Sequence, residues 1–179
     1  MTDDPQRSDQ DGMQIHFAIA SLSWKETQPG PRGLYGTPYV QYLVQWSSLV
    51  NVDPVNGRKQ LHRDVFGWAR QHYGAPDTAA VELISVEPDA LPQMIGADGL
   101  PVSQDFYCAV TVKWVDNHVS YTRTWDDVVP VEPGTSREEL VTRLAERART
   151  ACWAPADAVV VALTVLPNAL PVERESLPA

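Results

Sequence analysis

Residues 42–92 read YLVQWSSLVNVDPVNGRKQLHRDVFGWARQHYGAPDTAAVELISVEPDALP, and residues 121–171 read YTRTWDDVVPVEPGTSREELVTRLAERARTACWAPADAVVVALTVLPNALP. At a constant offset of 79 the two stretches align without a gap, and 18 of the 51 pairs are identical. Chance matching at ordinary amino-acid usage gives roughly one pair in sixteen, so the pattern reads as an internal duplication. The identities are structural in type. Tyr42 and Trp46 meet Tyr121 and Trp125, Leu61 meets Leu140, Ala69-Arg70 meets Ala148-Arg149, and Ala75-Pro76 meets Ala154-Pro155. Each copy closes on nearly the same pentapeptide, Pro88-Asp-Ala-Leu-Pro92 and Pro167-Asn-Ala-Leu-Pro171.

Upstream of each copy lies one further strand, at His16–Lys25 and Phe106–Val115, aligned through Trp24 and Trp114 at an offset of 90. The larger offset implies 11 extra residues in the first copy, within 26–38, where prolines and glycines cluster and mark a turn-rich loop. In the second copy Asp116-Asn117-His118 is short enough for a β-hairpin. Alternation places Phe106, Cys108, Val110, Val112 and Trp114 on one face and Tyr107, Ala109, Thr111 and Lys113 on the other. Helices follow; in the second copy Thr135 or Ser136 is the expected N-cap, and Ser136 with Glu139 three residues on has a capping-box spacing. Proline ends both helices by disfavouring helical geometry in the residue before it. Third strands are expected at 79–87 and 158–166.

The expected fold is therefore α+β, a duplicated ββαβ unit with strand order 2-1-3 in each copy, six strands and two helices in total. Its organisation reads as a disordered acidic tail at 1–13, unit one at 14–92, a linker at 93–104, unit two at 105–171 and a disordered tail at 172–179. Units of this size lie near the lower limit for independent folding, so they are expected to pack together.

Composition narrows the function classes. The chain is 44% hydrophobic and 21% charged, with a net charge of −9 spread over mixed-sign segments. That lacks the basic footprint of a nucleic-acid binder. No apolar run spans a bilayer and residues 1–12 lack a signal-peptide core, so no membrane partner and a cytoplasmic location are expected. The histidines, His16, His62, His72 and His118, do not pair at metal-ligand spacing, and Cys108 and Cys152 read as buried thiols. No catalytic residue, metal or cofactor is expected; Asp126-Asp127, the one adjacent acidic pair of the folded part that could suggest acid-base work, aligns with Ser47-Ser48.

A single copy, with its helix led by Val52-Asp-Pro54 or Val131-Glu-Pro133 and its closing Pro-Asn-Ala-Leu turn, resembles short uncharacterised proteins of actinobacteria and their mobile elements. The resemblance implies a source and no activity. The reading that the residues favour is a non-enzymatic binding or adaptor protein whose partner is another protein, with oligomer formation left open. Its candidate binding residues are Arg32, Leu34 and Tyr35 in the inserted loop, and Phe17, Ile19 and Tyr107 on the strand faces turned away from the helices. Two alternatives stand beside it. One is a small-molecule binder or small enzyme with a pocket between the units, and the other is a structural or assembly component of a phage or mobile element.

Overall fold

The computed structural model describes residues 14–28, 39–52, 57–117 and 119–168. The inserted loop with Arg32, Leu34 and Tyr35, and both terminal tails, lie outside these residues. Two antiparallel three-stranded sheets each carry one helix, so the chain is α+β. In the first, β1 (Gln14–Thr27) lies between β2 (Tyr39–Val52) and β3 (Ala80–Pro88), with α1 (Arg58–Tyr73) between the second and third strands. In the second, β6 (Gln104–Asp116) lies between β7 (Val119–Val131) and β8 (Val159–Pro167), with α2 (Arg137–Ala151). Both sheets thus take the 2-1-3 order that a hairpin followed by a helical crossover produces.

Among the described residues the strand count is eight and not six. A small hairpin, β4 (Met94–Ile95) with β5 (Pro101–Val102), occupies the stretch expected to be a plain linker. Gly99 at φ +79° and the bond from the Gly96 N–H to the Leu100 carbonyl close its turn. Two-residue strands carry no periodicity, which is why alternation does not reveal them. The second strands run to Val52 and Val131, because their pairing with β1 and β6 continues without a break.

Alternation sets what each face does. In sheet one, Ala18, Ala20, Leu22 and Trp24 face α1 and bury with Val65 and Ala69. In sheet two, Phe106, Cys108, Val110 and Val112 face α2 and bury with Leu140, Leu144 and Ala148. Trp24 stacks on Tyr42 directly opposite it at 4.9 Å, and Trp114 stacks on Tyr121 at 5.3 Å, so both hairpins carry the same cross-strand aromatic pair. A bulge interrupts the third strand of each sheet, at Glu82 in β3 and Val161 in β8, positions that align at the offset of 79.

The helix ends differ. Ser136 caps α2 by accepting from the Glu139 N–H at 3.1 Å, whereas Gly57 gives α1 no side-chain cap. At the other end, Gly74 takes the left-handed conformation that lets Ala75 N–H reach the Arg70 carbonyl. Trp153 holds the aligned position with φ +57°, and Ala154 N–H reaches the Arg149 carbonyl in the same way.

Candidate functional site

The two sheets meet through different surfaces. The face of sheet one turned away from α1 carries Phe17, Ile19 and Ser21, with Gln45 opposite Ser21. It lies against β8 and joins the apolar cluster under α2, in which Leu163 and Val165 are partly buried. At the β8 bulge the Val160 N–H donates to Gln45 Oε1 at 2.7 Å, and the Val160 carbonyl accepts from Ser21 Oγ at 2.5 Å. An edge strand that would otherwise expose both backbone groups has them satisfied by side chains of the neighbouring sheet. Beside this contact, Lys113 Nζ of sheet two donates to Glu82 Oε1 at 2.7 Å, and Ser23 Oγ donates to the same oxygen at 2.6 Å. Burial pushes the Glu82 carboxyl up, but the hydrogen bonds from Lys113 and Ser23 and the Lys113 charge outweigh it and hold the group below its ordinary value.

Phe17 and Ile19 are therefore covered by the chain itself, with Phe17 only 4% exposed. Tyr107, which aligns with Phe17, is 38% exposed. The difference follows from packing: among the described residues no helix lies over the face of sheet two turned away from α2. On that face Tyr107 stands directly between Val128 of β7 and Leu166 of β8, and all three are exposed. The next rows are small or polar: Asp126, Ala109 and Thr164, then Thr124, Thr111 and Ala162. Thr111 and Thr124 share a hydrogen bond at 2.9 Å. Chemically the face offers an apolar row beside the Asp126 carboxylate and the hydroxyls of Thr111, Thr124 and Thr164.

A second exposed feature is Trp153, 88% exposed on a left-handed backbone. A bulky side chain there costs roughly 1–2 kcal/mol relative to glycine, and its exposure returns nothing to the core. The sequence shows only that Trp153 has no aligned tryptophan; its conformation is a matter of backbone geometry. Its aligned residue, Gly74, has open space where a Cβ would sit, so the strain at this position is conformational and not steric.

Concavities are few in chemistry. A cleft of about 410 Å³ between β3 and β8 is lined by Ser85, Glu87, Arg137, Leu163, Thr164 and Val165, among others. Arg137 Nε there already donates to the Pro88 carbonyl at 2.9 Å. A shallower groove of about 570 Å³ lies along α2 beside Trp125, Arg143 and Arg147. In the first half Trp68 stands where Arg147 stands in the second, and it approaches Trp46 at 6.3 Å.

Cys108 and Cys152 are buried free thiols. Burial first, and then the Asp127 charge, against a smaller opposing effect of Arg147, push the Cys108 thiol up to about 11. It is protonated near neutrality and is a poor nucleophile. Among the described residues no group of three or more His, Cys, Asp or Glu side chains is placed to hold a metal ion, and no helix is long and apolar enough to cross a membrane. No family model, curated protein or solved structure matches the chain.

Proposed function

We propose that the protein is a non-enzymatic binding module, a duplicated ββαβ unit in which sheet one serves as the mount and the open face of sheet two as the docking surface for another protein. The carrying observation is the apolar row Val128, Tyr107, Leu166, three neighbouring exposed side chains in register on a face that no described helix covers. Aromatic anchors ringed by hydroxyls suit protein contacts, since Tyr combines apolar area with a polar tip at low entropic cost. The alignment at offset 79 supports the duplication, as do the shared strand order and the shared bulge position.

The reading is tested by placing a photo-crosslinking amino acid at position 107 and, as a control, at position 58 on the exposed start of α1. Irradiation in a lysate of the source cells, followed by mass spectrometry, should give a discrete protein adduct from position 107 and none from position 58. Equal or absent crosslinking at both positions would contradict the docking role.

A small-molecule site is the second reading. It is favoured by the volume of the β3–β8 cleft, which falls in the range of ligand pockets, and by the convergence of Ser85, Glu87, Arg137 and Thr164 on it.

A further inference from the structure

The contact between the two sheets is head to tail: the back of sheet one meets the β8 edge and helix side of sheet two. A contact of that kind uses one surface of each partner and leaves the corresponding surfaces unused at the two ends. Lys113 on the open face already holds Glu82 of β3 within the chain; away from that pair, both surfaces can be identified residue by residue. On the back of sheet two, Tyr107, Thr111 and Thr124 align with Phe17, Ser21 and Gln45 of sheet one, the residues that make the internal contact. On the edge of sheet one, Val81 aligns with Val160 and occupies the same place beside the bulge. Val160 is fully buried under Ser21 and Gln45, and Val81 is 49% exposed.

From this we infer that a second copy of the chain docks head to tail, the β3 edge around Val81 of one copy lying on the open face of sheet two in the next. The inference rests on the docking role of that face argued above and names its occupant. The chemistry at the contact repeats the internal one. Thr111 and Thr124 spend one hydroxyl hydrogen on each other, which leaves one hydroxyl hydrogen and free lone pairs. Together they can donate to the Val81 carbonyl and accept from its N–H, as Ser21 and Gln45 do for Val160. Tyr107 supplies the apolar support that Phe17 supplies inside the chain.

Charge does not guard the β3 edge at this point. Glu82, at the bulge next to Val81, is turned back into its own chain and held by Ser23 and Lys113. Charges normally protect an edge strand from pairing, and β7 carries Arg123, Asp126, Asp127 and Pro130 along its length; the bulge at Glu82 matches the one in β8, where side chains of the neighbouring sheet bond the Val160 backbone. Because the contact is heterologous, it propagates into a ring or a filament according to the rotation between copies.

The test is the mass of the full chain in solution across a concentration series, measured by light scattering or sedimentation equilibrium. The wild type should rise above the 19.8 kDa of one chain as concentration increases. Tyr107→Glu, which spoils the face, and Val81→Glu, which spoils the edge, should each stay at one chain mass with an unchanged circular dichroism spectrum. Mixed in equal amounts, the two variants should form a species of twice that mass, because each retains the surface that the other lacks. If either glutamate variant does not fold, Thr124→Arg and Val81→Lys take their places. A wild type that stays monomeric throughout, or a mixture that stays monomeric although the wild type associates, overturns the inference. Crosslinking of position 107 to a different protein would in that case leave the docking role standing.

Discussion

Phe17 and Tyr107 occupy aligned positions in two sheets of the same strand order, yet one is core and the other is surface. Val160 and Val81 make the same contrast in the opposite direction, with the second sheet now holding the buried member. Neither difference comes from the residues themselves, since the first pair is aromatic in both halves and the second is valine in both. It comes from how the halves meet. Two similar units related by a twofold axis would bury the same positions in each; units packed head to tail bury different ones. Burial at aligned positions of two sheets with the same strand order is therefore a property of the interface between them and does not carry over from one sheet to the other.

The largest expected effect separates the aromatic pair. Phe17→Ala removes a fully enclosed ring and should destabilise by about 3–5 kcal/mol, while Tyr107→Ala, on an uncovered face, should cost less than about 1 kcal/mol. Urea unfolding of both variants decides it, and similar losses would mean that the back of sheet two is covered as well.

The aligned helix ends offer a smaller contrast. Trp153→Gly should stabilise by about 1 kcal/mol by relieving a left-handed conformation that only glycine adopts freely, while Gly74→Ala should destabilise by a similar amount. Should Trp153→Gly instead destabilise, the exposed indole would be contributing packing that its 88% exposure does not indicate.

Acidification probes the polar seam between the sheets. Because the folded-state Glu82 carboxyl sits below its ordinary value, its contribution is complete above the unfolded-state value and is lost as pH falls through the lower folded one. Thermal stability should therefore fall through the acidic carboxylate range, below about pH 4.3. In Glu82→Gln that fall should be shallower and the neutral-pH stability lower, because Lys113 is left partly buried without its charge partner. Parallel pH profiles for the two proteins would show that the Lys113 pair does not contribute.

Much of the architecture is legible in the sequence, for identifiable reasons. Strict alternation in 106–114 separates the two faces of β6, the spacing of Leu140, Leu144 and Ala148 marks the buried side of α2, and Ser136 announces its start. The same alternation places Phe17, Ile19 and Tyr107 on the faces away from the helices. It does not say which of these faces is covered, because that depends on contacts between residues more than a hundred positions apart, such as Gln45 with Val160. The bulge at Glu82 is equally hidden. It is a matter of register against β1, and only that register turns the carboxylate toward Ser23 and Lys113. Trp153 is visible as an unmatched tryptophan, but its left-handed backbone is fixed by the helix ending and leaves no mark in composition. Of the candidate binding residues, Arg32, Leu34 and Tyr35 fall outside the described residues, and Tyr107 is the one that stands exposed.

Amide hydrogen exchange at Val160 and Val81, followed by NMR in dilute solution, tests head-to-tail packing most directly. The Val160 N–H is bonded to Gln45 in a buried seam, so its exchange should require opening of the interface and proceed with protection close to that of the core strands. The aligned Val81 N–H should exchange far faster. Equal protection at the two positions would contradict the account, because it would place the β3 and β8 edges in equivalent surroundings.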